Sequence, residues 1–382
     1  MVSVRRGAGA GAGDLPAGRR RASERGERAR ALVIYSRVGG GHLSAARALA
    51  EAFEATAAVQ TRLVDAYLEC ARFPVTLFPW AYAELARHHP QLWALLFQGS
   101  NRGLDPKRVL GPFLRQGLRK CIAEYRPDVV VSVLPVINGL VAEVAPRTEV
   151  VLTDWHSVHR FWVARGVDCY TAPTESARLD CIRFGAPPER VEVIGIPVRR
   201  AFAAIYQAPS AKHDRFTVLM MVGAEGSPRA LANVQRLSQL DLDAQVLVVC
   251  GRNEELRRRV QALPRRLTVE ALGFVDNIAE LMRGADVLVT KAGGLTLAEA
   301  FCCAVPVVVY DVLPGQEAGN LAYALSQAAV AHARSPGQLG RVISELYSDS
   351  ARRAELAQRG HALARPDAAT RIVANVLKRL GT

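Results

Sequence analysis

"ALVIYSRVGGGHLSAARALA", residues 31 to 50, joins two periodicities across three glycines. Residues 31 to 36 are a short apolar run of buried-strand length, whereas Leu43, Ala46, Leu49, Ala50 and Phe53 recur at helical spacing. Gly39, Gly40 and Gly41 therefore fall in a strand-to-helix turn. There a ligand can approach the backbone closely and meet the free N–H groups of a helix start. The turn lacks the full G-x-G-x-x-G of a dinucleotide site and the Lys-Ser/Thr of a P-loop, so its role depends on the rest of the chain.

The same alternation continues outward. "TRLVDAY", "DVVVSVL", "EVVLTD", "CYTAP" and "VEVIGIP" follow in the first half. After a polar stretch near residues 205 to 215 the pattern restarts with "FTVLMMVG", "QVLVVCG", "TVEALGFV", "DVLVTKAG" and "PVVVYDV". Strands separated by helical patterns imply right-handed βαβ units and a mostly parallel sheet. With 382 residues, half of them hydrophobic, the chain is long enough for two cores. The expectation is an α/β protein of two Rossmann-like, doubly wound domains, at 31–204 and 205–366. A basic arm at 1–30 precedes them, and a helical pattern at 367–382 could pack on either domain.

The arm holds eight arginines against Asp14, Glu24 and Glu27 and has no apolar periodicity, so it is expected to be disordered. It lacks the apolar region of a secretory signal. The formal charge is +13, and most of the excess remains when the arm is set aside, which suggests an anionic partner such as a membrane surface or a nucleotide. No nucleic-acid module is recognisable, and none is expected as a partner. Seven scattered cysteines without a C-x-x-C pair argue against a disulfide framework or a zinc site and favour a reducing cytoplasm. The apolar stretch "VVVSVLPVINGLVAEVA" is broken by Pro135, Asn138 and Glu143 and is expected to be a buried strand and helix start, not a membrane span.

Residues 71 to 120 break the rhythm. They mix Phe73, Phe78, Trp80, Tyr82, Trp93 and Phe97 with Arg72, Arg87, Lys107, Arg108, Arg115, Arg119 and Lys120. Rings beside cations suit a membrane interface, although each ring could equally fill a core.

Ligands of open α/β sheets bind beyond the carboxyl ends of strands, so the loops there carry the candidate chemistry. In the second half, Gly223 and Gly226 precede one helix, Arg252 and Asn253 follow "VVCG", and Gly293, Gly294 and Thr296 open another helix. Glu299 lies one turn further on, where a carboxylate can accept both hydroxyls of a ribose. Gln316, Glu317 and Asn320 gather after "PVVVYDV" and suit sugar hydroxyls. Together these loops describe a pocket for a nucleotide carrying a sugar. In the first half, Asp154 ends a strand and His156, His159 and Trp162 follow, a set able to orient a hydroxyl nucleophile and stack on a sugar. His42 lies at another strand end of the same sheet.

The blocks "GGGH", "TD" before "HSVHRFW", "GIPV", "CGRN", "TKAG" with "LAEA", and "PGQEAGN" occur in an order that resembles the diacylglycerol glycosyltransferases of the monogalactosyldiacylglycerol synthase type. The processive diacylglycerol glucosyltransferases are close to that type, and MurG is more distant. The resemblance spans about residues 31 to 335. It implies a GT-B architecture and an inverting, metal-independent transfer of galactose or glucose from a UDP-sugar to diacylglycerol, with no cofactor. It also implies that His42 and Asp154 serve as base and orienter in either assignment. Gly39, Gly40, Gly41, His159 and Trp162 would lie on the acceptor side. Gly223, Gly226, Arg252, Asn253, Gly293, Gly294, Thr296, Glu299, Gln316, Glu317 and Asn320 would hold the UDP-sugar. Such an enzyme would be cytoplasmic and attached peripherally to the inner face of a membrane. "YSRV" departs from the small or polar residues usual before the glycines. The alternatives are MurG-like N-acetylglucosaminyl transfer to a polyprenyl-diphosphate lipid, or a non-catalytic UDP-sugar-binding protein at the membrane.

Overall fold

The computed structural model describes residues 28–38, 40–56, 59–207, 213–223, 227–315 and 317–381. Residues 1–27 of the arm, residues 208–212 of the polar stretch, and Gly39, Gly226 and Gln316 lie outside the described residues.

Two six-stranded sheets organise the chain, and every recorded pairing is parallel. The first holds β1 (Ala29–Tyr35), β2 (Val59–Asp65), β3 (Val129–Ser132), β4 (Thr148–Val151), β5 (Cys169–Ala172) and β6 (Val191–Val193), in the order β2-β1-β3-β4-β5-β6. The second holds β7 (Phe216–Met221), β8 (Ala244–Val249), β9 (Thr268–Leu272), β10 (Val287–Lys291), β11 (Val307–Asp311) and β12 (Val330–His332), in the order β12-β11-β10-β7-β8-β9. Helices cover both faces, which is why the central strands read as unbroken valine-rich runs such as "VVVS" and "VVVYD". Each sheet reverses its winding once, between β1 and β3 and between β7 and β10. Those two reversal points are where such sheets open a ligand crevice.

The largest apolar core does not respect the division into two sheets. Leu49 and Phe53 from the helix Gly41–Glu54, Phe202 from Arg200–Tyr206, Leu295 and Phe301 from Gly294–Cys302, and Ile372 and Val376 from Ala368–Leu380 form one buried cluster. The final helix therefore follows the second sheet in sequence but packs on the first. Arg379 donates to both carboxylate oxygens of the buried Glu149 at 2.9 and 2.8 Å and to Glu192 at 2.9 Å, and Asn375 donates to Glu192 at 2.7 Å. Burial raises the Glu149 carboxyl even with Arg379 beside it, so the contact fixes where the final helix sits on the first sheet more than it adds stability.

Residues 71 to 120 fold as three helices, Phe78–His88, Pro90–Ser100 and most of Pro106–Tyr125. Their rings divide into two groups. Tyr82, Trp93, Phe97 and His159 form an inward column with successive centroid distances of 4.8, 6.1 and 4.6 Å. Phe73 and Trp80 are 76% and 66% exposed, and Leu77, Leu92, Leu95, Leu96, Leu104 and Val109 share that exposure. Large exposed apolar side chains concentrated on one segment are a feature of interaction surfaces.

Candidate active site

His42 is the second residue of its helix, at the reversal point of the first sheet. Its Nδ1 bonds the carbonyl of Val133, just beyond β3. A carbonyl can only accept, so Nδ1 carries the proton and Nε2 keeps its lone pair. Burial lowers the pKa of the ring, partly offset by the Val133 carbonyl, so His42 is neutral near pH 7. Its ring lies 6.3 Å from that of Trp162.

Asp154 follows β4, and its Oδ2 accepts the indole N–H of Trp162 at 2.9 Å. Burial raises its carboxyl to about 6; the Trp162 bond opposes the rise and the nearby Glu317 adds to it. Trp162 is 0% exposed, so it stands behind Asp154 and cannot stack on a sugar in this arrangement. His159 is likewise buried. Its Nδ1 accepts from the Phe161 N–H at 3.2 Å, and its Nε2 lies 3.1 Å from Ser100 Oγ and 3.2 Å from the Phe97 carbonyl. Burial pulls it down to about 4, so it is a neutral strut under the helix Pro90–Ser100.

Across from these groups stands the second sheet. Gly223, at φ 79°, follows β7, and a Cβ there would lie 3.5 Å from the Lys291 side chain at the end of β10. Lys291 Nζ is 3.9 Å from Glu317 Oε1, and Glu317 Oε2 accepts from the Leu313 N–H at 2.7 Å. Burial raises Glu317, and Lys291 counters it. Gly293 caps the helix Gly294–Cys302 beside Thr296. Asn253 caps its own helix by accepting from the Leu256 N–H at 2.9 Å, and the exposed Arg252 lies over the Phe274 ring at 5.7 Å.

Glu299 is 7% exposed and looks toward the first domain. Ser44 donates to its Oε1 at 2.8 Å, and Arg199 Nε lies 3.9 Å from the same oxygen. Burial raises this carboxyl, and Arg199 and Ser44 oppose the rise. Ser44 sits two residues after His42, so the two expected functions meet through one hydrogen bond.

Trp155 makes the other crossing. Its backbone N–H donates to Asn320 Oδ1 at 2.8 Å and its indole N–H to the Gly294 carbonyl at 2.9 Å, while its ring stacks on Tyr323 at 5.6 Å. Asn320 is buried, and its Nδ2 donates to the Ala292 carbonyl at 3.1 Å, so both ends of its amide are engaged at the domain contact. The glycines explain the fit. A Cβ at Gly294 would lie 2.1 Å from the Thr153 carbonyl oxygen, and one at Gly319 2.2 Å from that of His156. Gly294, expected only at a phosphate, is also where the backbone of the first domain passes.

Four contributors escaped the sequence reading as ligand-site residues: Ser44, Trp155, Arg199 and Lys291. Each lies within or beside a quoted block, but nothing in its spacing tells that Ser44, Trp155 and Arg199 point across to the other domain or that Lys291 turns toward Glu317 and Gly223. A cavity of ≈ 400 Å³ lined by Arg229, Asp311, His332, Arg334 and the Ala318, Leu321, Ala322, Leu325 face of one helix lies on the opposite side of that helix from Asn320, away from the contact.

Residues 42–198 match the family model described as monogalactosyldiacylglycerol (MGDG) synthase, and residues 208–362 match that of glycosyl transferases group 1. Monogalactosyldiacylglycerol synthase of Spinacia oleracea is 28% identical over 375 residues, covering 90% of this chain and 71% of that protein. Processive diacylglycerol beta-glucosyltransferase of Bacillus cereus (strain AH187) is 28% identical over 365 residues, covering 91% and 92%. Among solved structures, MurG of Acinetobacter baumannii superposes with a TM-score of 0.61 at 15% identity over 92% of this chain and 99% of its own. Anabaena HepE in complex with UDP-glucose does so with 0.56 at 16% identity over 92% and 100%. These structural likenesses identify the fold as GT-B, two Rossmann-like domains facing one another.

Proposed function

We propose that this chain, which carries a monogalactosyldiacylglycerol synthase domain followed by a group 1 glycosyl transferase domain, moves galactose or glucose from a UDP-sugar to the free hydroxyl of diacylglycerol. The observation that carries the reading is the 2.8 Å bond from Ser44 to Glu299, which joins the helix turn of the base to the carboxylate that would hold the ribose. The names of the relatives supply the substrate classes.

His42 is the base in this reading. With Nδ1 committed to Val133, Nε2 faces an incoming hydroxyl and takes its proton as the oxygen attacks the anomeric carbon. Asp154, fixed by Trp162, orients that hydroxyl and steadies the imidazolium that forms. Attack on the face opposite the diphosphate inverts the anomeric centre. The departing UDP meets the backbone at Gly223, the N–H groups at Gly293 and Gly294, and the Lys291 ammonium, which offset its developing charge. Glu299 accepts the ribose hydroxyls, and Glu317, with Gln316 beside it in sequence, holds the hexose. The exposed Arg252 would add positive charge for the diphosphate.

The acceptor is a membrane lipid, and no helix among the described residues is long and apolar enough to cross a membrane. The exposed patch around Phe73, Trp80 and Leu95 is the surface that would dip into the bilayer. Arg72, Arg102 and Arg119 on the same segment are exposed, have no carboxylate partner among the described residues, and would suit anionic headgroups. Lys107 and Arg115 do not contribute freely, because both bind Glu143 at 3.1 Å. In this reading attachment is peripheral, and the face is the cytoplasmic one.

The test uses the purified full chain, vesicles containing diacylglycerol and a panel of UDP-sugars, with lipid products read by mass spectrometry. Hexosyl-diacylglycerol from UDP-galactose or UDP-glucose is expected, with turnover falling about 100-fold or more in His42→Ala. Transfer only from UDP-N-acetylglucosamine to a polyprenyl-diphosphate lipid, or UDP binding without turnover, would sink the reading.

A further inference from the structure

Cys70 and Cys121 bracket the aromatic and basic segment 71–120 in sequence and meet at its neck in space. Cys70 ends the short turn Ala66–Cys70 after β2, and Cys121 lies in the helix Pro106–Tyr125. Their sulfurs are 3.4 Å apart and buried. The neck is tight. A Cβ at Gly117, one turn before Cys121, would lie 2.0 Å from the Cys70 carbonyl oxygen, and the Arg72 N–H donates to the Phe113 carbonyl at 3.0 Å. Helix and turn are thus held backbone against backbone at the point where the segment leaves the domain and returns.

We propose that Cys70 and Cys121 form a reversible dithiol–disulfide site that clasps the neck of the 71–120 segment, with a low-molecular-weight disulfide such as glutathione disulfide as oxidant. The Cys121 thiolate attacks one sulfur of glutathione disulfide, forming a mixed disulfide and expelling one glutathione thiolate. The Cys70 thiol gives its proton to that thiolate, and its sulfur then attacks Cys121 Sγ and expels the second glutathione, which takes up the proton lost by Cys121. One protein disulfide forms, two thiols are oxidised, and one glutathione disulfide is reduced to two glutathiones. The sulfurs need to close by a little over an ångström to reach the ~2.0 Å of a disulfide.

Cys121 is assigned as the attacking group because it is the more exposed of the two, 7% against 2% for Cys70, and its surroundings favour its thiolate. The hydrogen bond with the Cys70 thiol lowers Cys121 to about 7, burial opposes the shift, and the Arg62 guanidinium assists it. The same hydrogen bond and burial raise Cys70. Cys169, Cys181, Cys250, Cys302 and Cys303 are also buried, but burial raises every one of them, so they are poor nucleophiles. A disulfide here would close a loop containing the whole exposed patch and restrict its motion relative to the sheet.

The site does not depend on diacylglycerol being the acceptor, and a failed transfer assay leaves it standing. The test treats the folded wild-type chain with glutathione disulfide, blocks remaining thiols with iodoacetamide and maps the peptides. A linked Cys70–Cys121 peptide that dithiothreitol releases is expected, as is its absence in Cys121→Ala with Cys70 still free. Hydrogen exchange across 71–120 should slow by about threefold or more on oxidation and recover on reduction. Glutathione on Cys121 with Cys70 unlinked, or both thiols unreacted, overturns the site. A linked pair with unchanged exchange overturns the clasp.

Discussion

Ser44 Oγ donates to Glu299 Oε1 at 2.8 Å, so a hydroxyl of the first domain occupies the carboxylate expected to receive a ribose hydroxyl from the donor. Donor binding and domain contact therefore draw on the same oxygen. Ser44→Ala should leave a buried carboxylate short of a donor, at a cost of about 1–3 kcal/mol. The expected Tm drop is about 2–6 °C. Saturating UDP should protect this variant more than the wild type, because no internal hydroxyl competes. Glu299→Gln should lose most of that protection and raise the donor KM about tenfold. Thermal melts with and without UDP read both, and equal protection of all three proteins would refute the exchange of partners.

Asp154 carries a stability penalty that function would require. Its folded pKa of about 6 lies above the ordinary 3.8 because burial disfavours the charged form. The stability linked to this group is fully present below about pH 4 and is lost as pH rises through about 6. Asp154→Asn keeps an oxygen for the Trp162 indole and removes the charge. The variant should match the wild type at pH 4 and exceed it by about 1–3 kcal/mol above pH 7, while turnover collapses. Denaturant melts across that range measure the difference, and a constant gap at all pH values would contradict the assignment.

Gly294 tests the closeness of the two domains. A methyl group there meets the Thr153 carbonyl oxygen at 2.1 Å, a backbone contact that cannot yield by turning a side chain. Gly294→Ala should force the domains apart, lowering kcat about tenfold or more while UDP affinity changes by less than about threefold. Titration calorimetry with UDP beside steady-state rates separates the two effects.

The exposed patch predicts a split between surface binding and chemistry. Replacing Phe73, Trp80 and Leu95 together by serine removes three apolar side chains that each contribute about 1.5–3 kcal/mol when buried. Vesicle retention should fall about 100-fold or more, while transfer to a short-chain diacylglycerol in solution stays within about twofold. Unchanged sedimentation with vesicles would place membrane contact elsewhere.

Much of the architecture was legible before any coordinates. The valine-rich runs and the glycine turns that follow them determine parallel strands buried on both faces, because only that environment suits such runs between helical patterns. They located His42, Asp154 and Gly223 at strand ends or helix starts and Glu299 one turn into a helix. The helical period of residues 367 to 380 was equally plain, but its partner was not. Local periodicity fixes which face of a helix is apolar and says nothing about which sheet it covers. Arg379 meeting Glu149 and Glu192 decides that, across more than 180 residues of sequence.

The relation between domains belongs to tertiary structure alone. Gly294 reads locally as a helix-start glycine, whereas its lack of a Cβ, like that of Gly319, matters because the carbonyls of Thr153 and His156 pass against the two positions. Trp162 read as a sugar platform from its place after a strand, and packing turned it inward to hold Asp154. The sequence by itself determined the two sheets and the chemical groups at their ends, since strand and helix formation follow local patterns. Only the tertiary structure decided that Ser44 faces Glu299 and that Cys70 faces Cys121, because a contact between distant segments follows from how whole surfaces pack.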